Sequence, residues 1–196
     1  MCAYCWNYFR NLRPEKAGKF YSANEVAERL LAISEKKACN KIRISGAEPI
    51  LGERSFKHLI DVIAILRDRL TRFQFILETN GFILGHYPEL IRELRRFEDF
   101  LLVRISIKGW DEESFEKISG AKGHYFKFPL IGLRHLIENN INAWPAVMYE
   151  IFKGEGIEVF NREIRNIGLS PDEVEFESME LYPMVKENLA KRGISI

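Results

Sequence analysis

The sequence holds no apolar run approaching the roughly 18 to 20 residues that a membrane-crossing helix needs. Its first residues, Met1-Cys2-Ala3-Tyr4-Cys5-Trp6, have neither the basic stretch nor the apolar stretch of a secretory signal. An excess of charge is also lacking: 29 Lys and Arg stand against 28 Asp and Glu, a formal net charge of +1. That balance gives no general electrostatic footprint for nucleic acid or an acidic membrane surface, and leaves room only for a local patch. Cysteine is scarce, and an odd total of three does not close a disulfide framework. The expectation is a soluble, cytoplasmic protein with no membrane partner. In such reducing surroundings, two cysteines three positions apart point to metal or redox chemistry.

What is present suits one globular unit. Hydrophobic residues make up 46% and charged residues 29% of 196, enough for one sizeable core and too little for two. No repeat, Pro/Gly/Ser linker or break in composition divides the chain, so residues 1–196 read as a single domain.

Strand and helix patterns alternate. Ser22-Ala23-Asn24-Glu25 has capping-box spacing and opens a helix through Ser34. Lys41 to Ser45 is β-branched, ends at Gly46 and reads as a strand; Phe56 to Leu70 has helical periodicity. Further strands are expected over 73–77, 100–107, 141–151 and 174–181, with helices over 88–97, 111–120, 128–139 and 156–167. Such alternation implies right-handed βαβ units and a parallel sheet. Ligands then belong at the carboxyl ends of the strands. The segments that follow the strands are Gly46-Ala47-Glu48-Pro49, Glu78-Thr79-Asn80-Gly81, Ser106-Ile107-Lys108-Gly109 and the stretch around Met148.

Cys2-x-x-Cys5, aromatic Trp6 and Gly46-Ala47-Glu48-Pro49 together resemble the radical S-adenosylmethionine (SAM) superfamily. Its hallmark is a C-x3-C-x2-C loop after the first barrel strand, whose three thiolates hold a [4Fe-4S] cluster. SAM chelates the fourth iron. Cys2 and Cys5 match the last two cysteines, and Tyr4 takes the place of a frequent aromatic. The first cysteine would fall before Cys2, outside the chain. Gly46, Ala47, Glu48 and Pro49 are similar to the family's GGEP element, with Glu48 and backbone carbonyls orienting the SAM ammonium. Thr79 and Asn80 resemble the ETNG strand ending of glycyl-radical activating enzymes, and Ser106 and Lys108 match a strand end reaching the SAM carboxylate and ribose. Met148 would lie against the adenine or pack in the core.

The resemblance implies an α/β fold, a partial (β/α)6 TIM-like barrel of parallel strands whose first strand is missing from this chain. The strand over 42–45 would then have an uncovered edge. The implied activity is reductive cleavage of SAM to a 5′-deoxyadenosyl radical that abstracts hydrogen from a protein glycyl site or a small molecule. A flavodoxin or ferredoxin donor would supply the electron, and Arg10, Arg13, Lys16 and Lys19 offer it, or an anionic substrate, the one local basic cluster.

Other readings of the same residues stay open. An RNA-modifying enzyme fits the basic loop, and a cluster-less SAM-binding module fits the incomplete cysteine motif. A lone C-x2-C also occurs in zinc and thiol-redox sites, but no second ligand pair has matching spacing and no strand precedes it. Gly46 to Pro49 and Asn80-Gly81 can be plain turns. Cys39 reads as a buried small hydrophobe. His58, His86, His124 and His135 read as surface or capping groups.

Overall fold

A computed structural model describes all 196 residues. Its centre is one parallel sheet of five strands: β1 (Lys41–Ile44), β2 (Gln74–Thr79), β3 (Leu101–Ser106), β4 (Asn142–Met148) and β5 (Glu175–Glu177). They lie side by side in chain order. Helices α1 (Tyr8–Leu12), α2 (Pro14–Ala17) and α3 (Ala23–Lys37) precede β1, and α4 (Glu53–Arg69) joins β1 to β2. Next, α5 (Phe82–His86) and α6 (Ile91–Leu94) lead to β3, and α7 (Glu112–Ser119) and α8 (Lys127–Glu138) lead to β4. The chain closes with α9 (Tyr149–Phe152) and α10 (Glu155–Asn166) before β5, then α11 (Pro183–Lys191). This is the expected α/β, partial-barrel architecture.

Side-chain alternation gives the sheet two unlike faces. Phe75, Leu77, Leu101, Val103 and Ile105 are fully buried against the helices, where they meet Ile63 and Leu66 of α4 and Leu133 and Leu136 of α8. Burying each such side chain contributes about 1.5–3 kcal/mol, which makes this outer face the main source of stability. The inner face carries Arg43, Glu78, Arg104, Trp144, Glu175 and Glu177, which bond to one another.

Helices α5 and α8 cross at closest approach through two glycines. A Cβ on Gly85 would lie 1.9 Å from the Phe128 carbonyl oxygen, and one on Gly132 would lie 2.9 Å from that of Gly81. β1 forms one edge of the sheet, as expected, with Ile42 buried while Lys41 and Arg43 are exposed. Two basic residues on a short edge strand discourage pairing with another chain.

Several expected elements differ. The helix over 88–97 is three short pieces: a 3-10 turn at Pro88–Leu90, then α6, then a 3-10 turn at Arg95–Phe97. Its buried anchors Ile91, Leu94 and Phe97 recur every third residue, the spacing of 3-10 turns. The strand expected over 141–151 ends at Met148, and α9 turns Ile151 and Phe152 under the sheet. The strand expected over 174–181 shortens to Glu175–Glu177, because β5 pairs only with Ala146–Met148 and has no partner beyond. Cys39 is exposed rather than buried, on the turn that follows the left-handed Ala38. Helices α1 and α2 carry no buried residue and so left no apolar period to read.

Candidate functional site

The carboxyl edge of the sheet gathers the segments named above. The Cys2–Cys5 loop is a tight turn closed by the Cys5 amide donating to the Cys2 carbonyl at 3.2 Å. It is seated against the end of α7: the Ala3 amide donates to the Ile118 carbonyl at 2.8 Å, and the Met1 ammonium to that of Ser119 at 3.0 Å. The Arg192 guanidinium, just past α11, ties the two together by donating to the carbonyls of Met1 at 2.6 Å and Ile118 at 2.7 Å. Both thiols are free and half-buried. The Asn11 amide of α1 reaches the Cys5 sulfur at 3.6 Å.

Asn7 links this loop to the next segment, donating from Nδ2 to the Gly46 carbonyl at 2.9 Å. Gly46 has φ +94°, a left-handed conformation that side chains rarely adopt, and the Trp6 ring lies 3.7 Å from where a Cβ would stand. Ala47 is exposed and Pro49 half-buried. Glu48 turns inwards and fastens the loop to the end of β2. Its Oε1 accepts from the Thr79 hydroxyl at 2.6 Å and the Ile50 amide at 3.0 Å, and its Oε2 from the Asn80 amide at 2.6 Å. Burial raises the Glu48 pKa above its ordinary value and outweighs these bonds and the Lys108 charge, which act the other way. Asn80 then accepts from the Phe82 amide at 2.8 Å and starts α5.

Lys108 extends from the end of β3 to the Ser106 hydroxyl, with its ammonium 5.2 Å from the centre of the Tyr4 ring. Burial pushes the Lys108 ammonium down from its ordinary range, while the charges of Cys2 and Glu177 oppose this. Tyr4 is buried and its hydroxyl has no hydrogen-bond partner. Burial raises the Tyr4 pKa well above the usual phenol range, and Cys2 and Glu177 add to the effect. The cysteine loop, Gly46–Pro49, Thr79–Asn80 and Ser106–Lys108 therefore form one connected edge. Met148 stands at the end of β4 in register with Glu177, half-buried and packed on the core. The four histidines stay outside: His58 meets the Tyr21 carbonyl, His135 meets Glu138, and His86 and His124 are exposed.

Sequence reasoning passed over a charged cluster on the inner face. The side chain of Arg104 is only 4% exposed and touches three carboxylates: Glu175 at 2.9 Å, Glu177 at 2.6 Å and Glu78 at 3.3 Å. Arg43 also pairs with Glu78, and the Trp144 indole donates to Glu175 at 2.6 Å. Burial opposes the Arg104 charge, but bonds to Glu175 and Glu177 outweigh it and keep the guanidinium charged. Burial likewise opposes ionisation of Glu175, and Arg104 and Trp144 overcome it, lowering its pKa. The signals were an arginine inside the apolar run Leu101-Leu102-Val103-Arg104-Ile105 and two glutamates at i, i+2.

A cluster-binding reading can be tested on the donors. Cys2 and Cys5 present two thiols, and no group of three or more His, Cys, Asp or Glu side chains is placed to hold a metal ion. These residues alone do not complete a three-thiolate site. No helix is long and apolar enough to cross a membrane.

Comparison with known proteins agrees with the geometry. The chain is 33% identical over 106 residues to a protein named as a GTP 3′,8-cyclase from Thermoplasma volcanium, covering 54% of this chain and 29% of that one. It is 30% identical over 111 residues to one named as a glycyl-radical enzyme activating enzyme from Methanocaldococcus jannaschii, covering 57% and 36%. The chain thus matches about a third of the length of these curated relatives. Among solved structures, anSMEcpe with bound AdoMet superposes with a TM-score of 0.62 at 14% identity, over 91% of this chain and 48% of that one. A radical SAM methyltransferase from Sphaerobacter thermophilus gives 0.60 at 15%, over 98% and 60%. At such identities these likenesses establish the fold. The family model of the Radical SAM superfamily matches residues 1–164, more than four-fifths of the sequence and all of the carboxyl edge up to Met148. The chain belongs to the radical SAM superfamily.

Proposed function

We propose that this chain is the core of an enzyme that cleaves SAM reductively and passes hydrogen abstraction on to a substrate. The observation that carries the reading is the connected carboxyl edge, in which Asn7 ties the cysteine loop to Gly46 and Glu48 ties that segment to Thr79 and Asn80. In this reading Cys2 and Cys5 are two of three cluster thiolates, and the third comes from outside these 196 residues. Gly46 to Pro49, Thr79 and Asn80 form the cradle for the methionine end of SAM. Ser106 and Lys108 offer a hydroxyl and an ammonium for its ribose and carboxylate. Tyr4 and Met148 flank the nucleoside. The [4Fe-4S] cluster supplies the electron that opens the carbon–sulfur bond. The protein residues bind, orient and keep water away.

The activating-enzyme relative and a neighbour whose structure holds AdoMet with the Cp18Cys peptide favour a protein substrate, and the GTP cyclase relative favours a small molecule. An outside donor of the flavodoxin or ferredoxin type would dock near α1 and α2, where Arg10, Arg13, Lys16 and Lys19 are exposed beside the cysteine loop. RNA modification has no comparable support.

The second reading, a SAM-binding module without a cluster, is favoured by the two-thiol donor set. One experiment separates them. The chain, and a version extended upstream with a cysteine four residues before Cys2, are reconstituted anaerobically with iron and sulfide. Iron, sulfide and dithionite-driven formation of 5′-deoxyadenosine are then measured. Cleavage by the extended form supports the enzyme. SAM binding without cleavage by either form supports the module.

A further inference from the structure

The cysteine loop is held from the far end of the chain. Helix α11 docks through Val185 and Leu189, both buried, and stops in a turn where the Ile194 amide donates to the Leu189 carbonyl at 3.0 Å. Gly193, at φ +60°, is the left-handed residue of that turn. Arg192 is thereby laid half-buried against the end of α7. All of its bonds go to main-chain carbonyls. Nη1 donates to Ile118 at 2.7 Å and Lys117 at 3.2 Å, and Nη2 donates to Met1 at 2.6 Å.

Both sets of acceptors need such a donor. Lys117 and Ile118 stand in the last turn of α7, where carbonyls have no partner further along the helix and form its negative pole. The Met1 carbonyl adjoins Cys2, at the open end of a turn whose internal backbone bond runs from Cys5 to Cys2. Packing does not hold the loop from the other side, since α1 buries no residue. Gly120 makes the room: a Cβ there would stand 3.0 Å from Nη2 of Arg192 and 3.2 Å from Nη1. A planar guanidinium fork spans the two acceptor sets from one position, which the point charge of an ammonium does not.

Resting on the reading of Cys2 and Cys5 as the working thiols of this edge, we propose that Arg192 is a positioning residue that sets the placement of the cysteine loop. It touches neither thiol and acts through the Met1 carbonyl and the end of α7. Without it the loop keeps the Ala3 bond to Ile118 and the Asn7 bond to Gly46. Asn7 and Asn11 still steady the Cys5 end, so the Cys2 end is the one set loose.

The test labels the thiols of the full chain, without iron or SAM. Iodoacetamide is applied in short pulses, and Cys2, Cys5 and Cys39 are read separately by mass spectrometry. Cys39, exposed on the turn after α3, is the internal reference. Arg192→Ala should raise the Cys2 rate relative to Cys39 about tenfold, with a smaller rise at Cys5. Methylguanidinium at tens of millimolar should bring the Cys2 rate back down, and methylammonium should not. Arg192→Lys is the second variant if the first fails to fold, and should raise the Cys2 rate severalfold. Ile63→Val, which loosens the core at α4, should leave it unchanged. An unchanged Cys2 rate in both Arg192 variants, an equal rise in Ile63→Val, or equal rescue by methylammonium would overturn the proposal. Unchanged labelling, with SAM cleavage intact in the cysteine-extended protein, removes this assignment alone. Altered labelling with no cleavage removes the enzyme reading alone.

Discussion

Glu48 is the residue on which the carboxyl edge turns, because one carboxylate accepts three bonds that join two strand ends. Glu48→Ala leaves the Thr79 hydroxyl and the Asn80 amide without their partner at a part-buried position. The expected loss is about 2 kcal/mol or more of stability, together with weakened SAM binding, read by chemical denaturation and equilibrium dialysis. The same residue predicts a pH dependence. A carboxyl whose pKa is raised by folding binds more protons folded than unfolded, so its contribution is full below its ordinary pKa and is lost as pH rises through the raised one. Denaturation midpoints of the wild type should show this decline, and Glu48→Gln should flatten it. Gly46 makes a separate demand: at φ +94° a Gly46→Ala change costs strain, about 1 kcal/mol or more, and should lower affinity for SAM.

Among the elements, helices and strands with a buried apolar period were legible in the sequence, and those without one were not. The capping box Ser22–Glu25 and the apolar faces of α3 and α4 are where the spacing put them. By contrast α1 and α2 bury nothing, and α5 is a short helix of five residues that buries Leu84 and Gly85 and is too brief to show an apolar period. The motif positions were readable because short-range spacing carries them. Arg104 with Glu175 was not, since 71 residues separate partners that only the sheet brings together. The α5–α8 crossing gives an element-scale prediction. Gly85→Ala forces a Cβ into the Phe128 carbonyl at 1.9 Å, so the helices must separate. A loss of about 2–3 kcal/mol, some 4–12 °C in melting temperature, is expected by calorimetry.

For the whole molecule, an apolar outer face holds the partial barrel together and the inner face carries a network of ion pairs around Arg104. Arg104→Met should show what that network contributes. It leaves Glu177 without its cation, Glu78 with Arg43 alone and Glu175 with the Trp144 indole alone, and since Glu175 and Glu177 are partly open to solvent the expected cost is about 1–3 kcal/mol at neutral pH. The penalty should shrink in acid as the glutamates protonate, which denaturation at two pH values would show. The most direct test of the central claim, that this edge presents SAM to a cluster held by Cys2 and Cys5, is electron paramagnetic resonance of the reconstituted, cysteine-extended protein after reduction. The account predicts a [4Fe-4S] signal that SAM changes in the wild type, and no such signal in Cys2→Ser or Cys5→Ser. A signal indifferent to SAM, or one that survives both substitutions, would contradict it.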